Sequence, residues 1–406
     1  MEQMGDADTQ ARRDLALRLD ALGDLRKSQG DLDGALAAYG ESLTLRRALC
    51  AADPRNAQWQ RDAALTAEKI GSALVMKSAM AARGEGASQR DGSWSLGTAG
   101  DVLAARGDPA SALAVYREGI RQRRAHAAQH PDNPALLQDV AWRLGTIGDV
   151  LLARGDDAEA LAAYREALDL RRALAARDAG STGALRDLSW TLGKVGEVLA
   201  GRQDDTGALA AYREDAEITR RLRALDPAND ELHHHLAIVL TKTGDLLAAQ
   251  GDPAGALAVY AECLALRRAL SSTGAADDAS RNDLCISLSK VGQMLVARND
   301  LAGALAHHRE ALDLRRALAA AHPGNAAWRR DLAWSLGAVG GVRAAQGDVA
   351  GALAAYRECL DIERALSAAE PDNSEAQQQI SVMAAKIESL RAMQDARVER
   401  GAITSC

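Results

Sequence analysis

The chain has 406 residues, 47% hydrophobic, 26% charged and 3% aromatic, with no Phe, six Trp and six Tyr, and a formal net charge of -7. That apolar content is too high for a disordered chain, and no apolar run approaches the roughly 18 residues of a membrane span. The acidic balance, with a pI of about 5.7, argues against general nucleic-acid binding, so neither nucleic acid nor membrane is expected as a partner.

The opening residues MEQMGDADTQARRD are polar, without the basic start and apolar stretch of a secretory signal. Residues 1–13 are therefore read as an N-terminal tail and the protein is expected in the cytoplasm. From residue 14 the chain repeats itself. A Gly-Asp pair at Gly30-Asp31 recurs at Gly107-Asp108, Gly155-Asp156, Gly251-Asp252 and Gly347-Asp348, with Gln203-Asp204 and Asn299-Asp300 in the same register. From Gly107 onward every interval is 48 residues. Nine residues after each anchor stand Tyr39, Tyr116, Tyr164, Tyr212, Tyr260, His308 and Tyr356, so every Tyr occupies one structural position.

The first unit spans 14–60. Residues 61–92 hold a truncated unit: its first helix is present, but the ALAAYRE-type segment is missing, and an irregular junction is expected at 80–92. Six units of the 48-residue period fill 93–373. Residues 374–406 read as a capping helix and tail, with Gln and Ser where other first helices are apolar. The array thus counts seven complete hairpins, one defective one and a closing helix.

Within a unit, Leu188, Leu192, Val195 and Leu199 fall at i, i+4, i+7 and i+11, one apolar stripe on a helix of about five turns. The Gly-Asp pair ends that helix, Gly supplying the positive φ of a helix C-terminus and Asp capping the next helix. A second helix, from about 156 to 176, carries Ala160, Leu161, Tyr164, Ala167, Leu168 and Leu174 at helical spacing and stops where prolines recur, as at Pro131, Pro227 and Pro323. No segment sustains the alternation of a strand. The chain is read as all-α, built of antiparallel helical hairpins.

The order Leu144-x-x-Ile147-Gly148-x-x-Leu151, Gly155-Asp156, Ala160-x-x-x-Tyr164-x-x-Ala167 resembles the tetratricopeptide repeat. Gly148 and Ala160 allow close helix approach, and Tyr164 fills the space beside them. The resemblance runs over roughly residues 14–395, with departures: a 48-residue unit, Leu where the family often has Trp, and a delayed Pro. It implies a right-handed superhelical solenoid whose first helices line a concave, ligand-binding face. It resembles long-unit arrays of bacterial proteins more than short peptide-clamp modules.

The uncopied residues are the ones that can carry recognition. Trp190, Lys194 and Glu197 share one first-helix face, and the equivalent positions include Trp94, Trp142 with Asp149, Lys242 with Asp245, Lys290, and Trp334. One reading makes these ten residues a groove for a partner peptide or protein, the lysines suited to acidic groups or a free carboxylate. The other has each Trp lying over a neighbouring helix's Gly and each Lys paired with an acid of its own or the next unit. The Arg pairs late in second helices, such as Arg171-Arg172, are read as interacting with the helix C-terminus and with acids one turn earlier. Consecutive His233, His234 and His235 point about 100° apart on a helix and cannot converge on one ion.

Five cysteines, Cys50, Cys263, Cys285, Cys359 and Cys406, show no paired spacing, so no disulfide framework or zinc site is expected, and Cys263 and Cys359 take positions of core Ala. No catalytic motif occurs, and no cofactor or metal is expected. The expectation is a non-enzymatic scaffold binding another protein. The alternative is a ligand- or peptide-responsive sensor module controlling a separate effector, with ligand-dependent compaction as the feature that separates the two.

Overall fold

A computed structural model of the chain describes residues 2–53, 109–130, 133–272, 277–370 and 374–403, with 56, 58–59, 61–63, 65–66, 69–73, 76 and 100. The expected junction at 80–92, Trp94 and the Gly107-Asp108 turn lie outside the described residues. The fourteen fully bounded helices are α1 (Glu2–Ser28), α2 (Leu32–Ala52), α3 (Pro109–Gln129), α4 (Pro134–Ala153), α5 (Asp157–Arg177), α6 (Thr182–Gly201), α7 (Asp205–Leu225), α8 (Asp230–Ala249), α9 (Pro253–Ser272), α10 (Asp278–Ala297), α11 (Leu301–Ala321), α12 (Ala326–Ala345), α13 (Val349–Ala369) and α14 (Ser374–Ile403). Helix α1 takes in residues 2–13, which the sequence reading left as a tail.

The chain divides into two compact units, Met1–Asp204 and Asp205–Cys406. In the first, α1 packs on α2, α3 on α4, α4 on α5 and α5 on α6; in the second, each helix from α7 to α13 packs on its successor. Each unit is built of antiparallel helical hairpins, an all-α solenoid architecture in which the packed helices just named are neighbours in sequence. First helices are α1, α4, α6, α8, α10, α12 and α14; the others are second helices.

The turn inside a hairpin follows from two residues. Gly30, Gly155, Gly251 and Gly347 all have φ near +80°, and Gln203 (+63°) and Asn299 (+61°) hold the same left-handed position without being glycine. The following Asp caps the second helix: Asp31, Asp300 and Asp348 accept from the backbone N–H of Gly34, Gly303 and Gly351 at 2.9 Å. Asp156 is the exception and makes no such bond. The third position of that helix is Glu159 rather than Gly, and a Cβ there would occupy the space the Asp carboxylate needs, as a Cβ built on Gly303 shows by meeting Asp300 Oδ2 at 2.5 Å.

The turn between hairpins is closed by the Asn two residues after the recurrent Pro. Asn133, Asn229 and Asn325 accept from N–H groups at the start of the next first helix at 2.9–3.3 Å. Where the Pro is absent, Ser181 and Asp277 take over that work.

The predicted stripe Leu188, Leu192, Val195 and Leu199 is buried throughout, as are all six tyrosines and the substituting His308. Full burial of one such Leu contributes about 2 kcal/mol before entropy is counted. Cys263 and Cys359 are buried as small core residues, and burial pushes the Cys359 thiol up to about 11.

Candidate functional site

The first-helix face carries a repeated three-residue cluster. Tyr164 Oη donates to Asp149 Oδ1 at 2.6 Å, and Lys194 Nζ, from the next first helix, reaches the same oxygen at 3.3 Å. Tyr260 likewise donates to Asp245, which receives Lys290 Nζ at 2.6 Å. At the start of the chain Tyr39 donates to Asp24 at 2.8 Å and Lys69 reaches it at 2.6 Å. Lys69 and Lys290 also lie over the rings of Tyr39 and Tyr260, each 5.9 Å from the centroid, and Lys242 stands 5.6 Å over Tyr212.

Burial, reinforced by the hydrogen bond to Asp, raises the phenol pKa of Tyr39, Tyr164 and Tyr260. Burial alone would raise Asp24, but hydrogen bonds from Lys69 and Tyr39 outweigh it and hold that carboxyl low. The lysines at 194 and 290 are thus partnered by the acid of the preceding hairpin. This corrects the pairing anticipated from sequence, which placed the acid in the lysine's own or the following unit: a helical Lys projects back toward the N-terminal neighbour's Tyr. Glu197 sits close enough to Tyr164 to help raise its pKa.

The tryptophans remain open to solvent. Trp142 is 52% exposed and Trp190 40% in the first unit, and in the second Trp334 is 45% exposed and Ile286, at the same register of the repeat, 37%. Trp190 fits part of both readings. Its edge covers Gly145, where an added Cβ would meet Cζ3 at 3.0 Å, and it lies against Tyr164 edge-on with centroids 6.4 Å apart. Arg171 and Lys194 also lie over its ring, 5.2 and 5.5 Å from the centroid, and 40% of the side chain stays exposed. Gly337, by contrast, has nothing within 4 Å of an added Cβ, so no aromatic covers it.

The paired arginines divide the work differently from the sequence reading. The first of each pair is buried and crosses to the next first helix. Arg315 donates to Ser335 Oγ at 2.6 Å and Asp331 O at 3.3 Å, Arg171 to Thr191 Oγ1 and Asp187 O, and Arg267 pairs with Asp283 at 2.6 Å. The second reaches the next second helix: Arg268 to Glu310 at 2.6 Å and Arg316 to Glu358 at 2.7 Å, both exposed. Helix-terminus attraction is therefore secondary to these cross-hairpin bonds. The signal was in the sequence, since the first Arg of each pair is followed 16 residues later by Asp: 46/62, 123/139, 171/187, 267/283 and 315/331.

One hairpin departs from that rule. Thr219 and His235 stand in the Arg and Asp registers, and Asp215, fully buried, replaces a small core residue; His235 Nε2 lies 3.2 Å and Thr219 Oγ1 3.2 Å from Asp215 Oδ1. His234 Nδ1 lies 2.9 Å from Arg267 and His233 is 3.8 Å from Asp230, so the three histidines turn to three different partners. Among the described residues no group of three His, Cys, Asp or Glu is placed to hold a metal ion, and no helix is long and apolar enough to cross a membrane.

Stacked antiparallel hairpins in which a first-helix Gly packs on a second-helix Tyr, as Gly148 on Tyr164 and Gly244 on Tyr260, with Gly292 on His308 in the same register, define a helical repeat protein. The sequence model described as tetratricopeptide repeat matches residues 140–178, 236–274 and 285–324, each match running from within a first helix through the following second helix. The chain is a helical repeat protein with long hairpin units, three of which match the tetratricopeptide repeat. Among solved structures it is similar to BtubC from P. vanneervenii, with 18% identity over 63% of this chain and 91% of that one and a TM-score of 0.43. YrrB, described as a TPR protein with an unusual peptide-binding site, shows 16% identity over 63% of this chain and 96% of that one, with a TM-score of 0.37. The signal-transduction ATPase with a tetratricopeptide repeat sensor from Pyrococcus horikoshii shows 12% identity over 95% of this chain and 54% of that one, with a TM-score of 0.41. No curated protein matches the chain.

Proposed function

We propose that this chain is a non-enzymatic scaffold that binds a peptide segment of another protein along the first-helix face of its hairpins, the face that the family resemblance implies as the ligand-binding one. The observation that carries the reading is the row of large, half-exposed side chains at one register, Trp142 and Trp190 in the first unit and Ile286 and Trp334 in the second. The side chains at this one register are 37–52% exposed, although Arg171 lies over the Trp190 ring and Arg315 over the Trp334 ring, and large side chains presented on helices in this way are suited to act as anchors of a recognition surface. The lysines contribute less than the tryptophans, because Lys194 and Lys290 already share the carboxylates of Asp149 and Asp245. Lys242, half-buried over Tyr212, belongs with the same set.

The test compares capture from the native host's lysate by the wild-type chain and by a Trp142→Ala, Trp190→Ala, Trp334→Ala variant, after circular dichroism has shown equal helicity. A specific partner retained by the wild type and lost by the variant is the expected result. Identical capture by both refutes the first-helix face and turns attention to the arginine-bearing second helices.

A further inference from the structure

The Asp–Tyr–Lys cluster has a fixed register: the Tyr lies 15 residues after the Asp and the Lys 45 after it, as in Asp24, Tyr39 and Lys69 or Asp245, Tyr260 and Lys290. In the last hairpin of the second unit two of the three parts are in place. Tyr356 is buried, and Lys386 Nζ stands over its ring, 5.4 Å from the centroid. The third part is Gly341. A Cβ built there meets Tyr356 Oη at 3.7 Å, an ordinary contact, and nothing else within 4 Å. Among the described residues no carboxylate bonds either the Tyr356 hydroxyl or the Lys386 ammonium, so a donor and a cation that elsewhere share one carboxylate face an open position.

The neighbouring ladder position is also altered. Ala338 stands in the lysine register of 194, 242 and 290, and with Gly337 it leaves a cavity of about 470 Å³ between α12 and α14, walled by Trp334 and Met383. Two acids line it. Glu363 is buried at its floor, and Asp331 stands near enough to Arg315 to act on that guanidinium. The charged groups reaching the rim are Lys386 and Arg330, the latter 3.6 Å from the half-exposed Glu370. An apolar wall beside a cationic rim is complementary to a carboxylate carried next to a large apolar side chain.

We propose that this place accepts an Asp or Glu side chain of the bound peptide between Lys386, Tyr356 and Gly341, with an adjacent large apolar side chain of the same peptide against Trp334 and Met383. The inference rests on the first-helix face being the peptide-binding face. It assigns a side chain rather than a chain terminus because exposed apolar side chains at the same register stand on both helices that border the cavity and on α10 before them, Ile286, Trp334 and Val382, which suits a segment lying across all three. The carboxylate it stands in for is itself a side chain in three other hairpins.

The probe is an array of nonapeptides on a Ser-Ala background, with two central positions varied through all residue pairs and the termini blocked, plus a second set with free C-termini. Binding to the full chain is read by fluorescence anisotropy. The wild type is expected to prefer Asp or Glu beside Leu, Ile, Met, Phe or Trp, with a tenfold or greater loss on Asn or Gln replacement. Gly341→Asp supplies the carboxylate from within the chain; it is expected to raise the melting temperature and weaken the same peptides at least tenfold, as is Lys386→Met. Selected peptides without an acid, unchanged affinity in Gly341→Asp, binding only through free C-termini, or no binding to the wild type would each overturn the proposal. A Trp334→Ala, Ile286→Ala variant separates the two levels. Peptides that need these side chains but no acid defeat this inference alone, whereas peptides indifferent to both defeat the assignment of the face.

Discussion

Gly148→Ala is the perturbation whose outcome the packing decides most sharply. In a helix interior the exchange is ordinarily favourable, by about 1 kcal/mol, because Gly loses more backbone freedom on folding. Here the added methyl would stand 2.5–2.8 Å from three ring carbons of Tyr164, where carbon atoms settle at about 3.5–4.0 Å. The ring is fully buried and its hydroxyl is held by Asp149 at 2.6 Å, so it has no direction in which to retreat. Overpacking of that kind costs about 1–3 kcal/mol; at a site this confined the upper end applies, and a net loss of ~2 kcal/mol is expected. Gly337→Ala, with nothing within 4 Å of the new Cβ, should instead gain up to about 1 kcal/mol. Gly145→Ala falls between: it presses on Trp190 at 3.0 Å, but that side chain is 40% exposed and can move outward, so stability changes little while tryptophan emission shifts. Urea titration by circular dichroism measures the three, and hydrogen exchange locates the change, since stability in stacked hairpins is local. Gly148→Ala and Gly337→Ala shifting stability in the same direction would refute the Gly–Tyr packing argument.

The two arginines of one pair should separate cleanly. Arg315→Met removes buried bonds to Ser335 and Asp331 and is expected to cost about 3 kcal/mol, whereas Arg316→Ala breaks an exposed pair with Glu358 and should cost less than about 1 kcal/mol in the same titration. His308 occupies the buried tyrosine position, and burial, with His307 and Arg315 nearby, pushes it down to about 4. Its folded pKa is depressed, so the unfolded chain takes up the proton first: stability is full above about 6.5 and falls as pH drops toward 4, by at most about 1.4 kcal/mol per pH unit. His308→Tyr should flatten that slope, measured as the urea midpoint against pH; an unchanged slope would assign the acid sensitivity elsewhere.

The hairpins were legible because their determinants repeat in register: Gly155 at positive φ, Tyr164 in the core and the stripe from Leu188 to Leu199 are each dictated by local geometry and recur every 48 residues. Asp156 was misjudged as a cap because the bond depends on the absence of a side chain three residues later, a condition met at Gly303 but not at Glu159. The cross-hairpin Arg–Asp pairs escaped notice for a different reason. Arg171 and Asp187 lie on separate helices, and neither helix alone shows why a charged residue should be buried. Only alignment of the copies pairs their registers, and Thr219 with His235 shows that the two positions change together. Of the candidate face, Trp142, Trp190 and Trp334 share one register of the repeat and each is exposed, but the acids of Lys194 and Lys290 lie on the preceding hairpin, a pairing that spacing within one helix does not show.

The single register shared by all tyrosines has an optical consequence. Each of Tyr39, Tyr116, Tyr164, Tyr212, Tyr260 and Tyr356 is buried in its hairpin, and burial raises the phenol pKa of Tyr39, Tyr164, Tyr260 and Tyr356. An alkaline titration followed by phenolate absorbance therefore counts opened hairpins. One steep rise would mean that the hairpins give way together, and a staircase that they give way in turn.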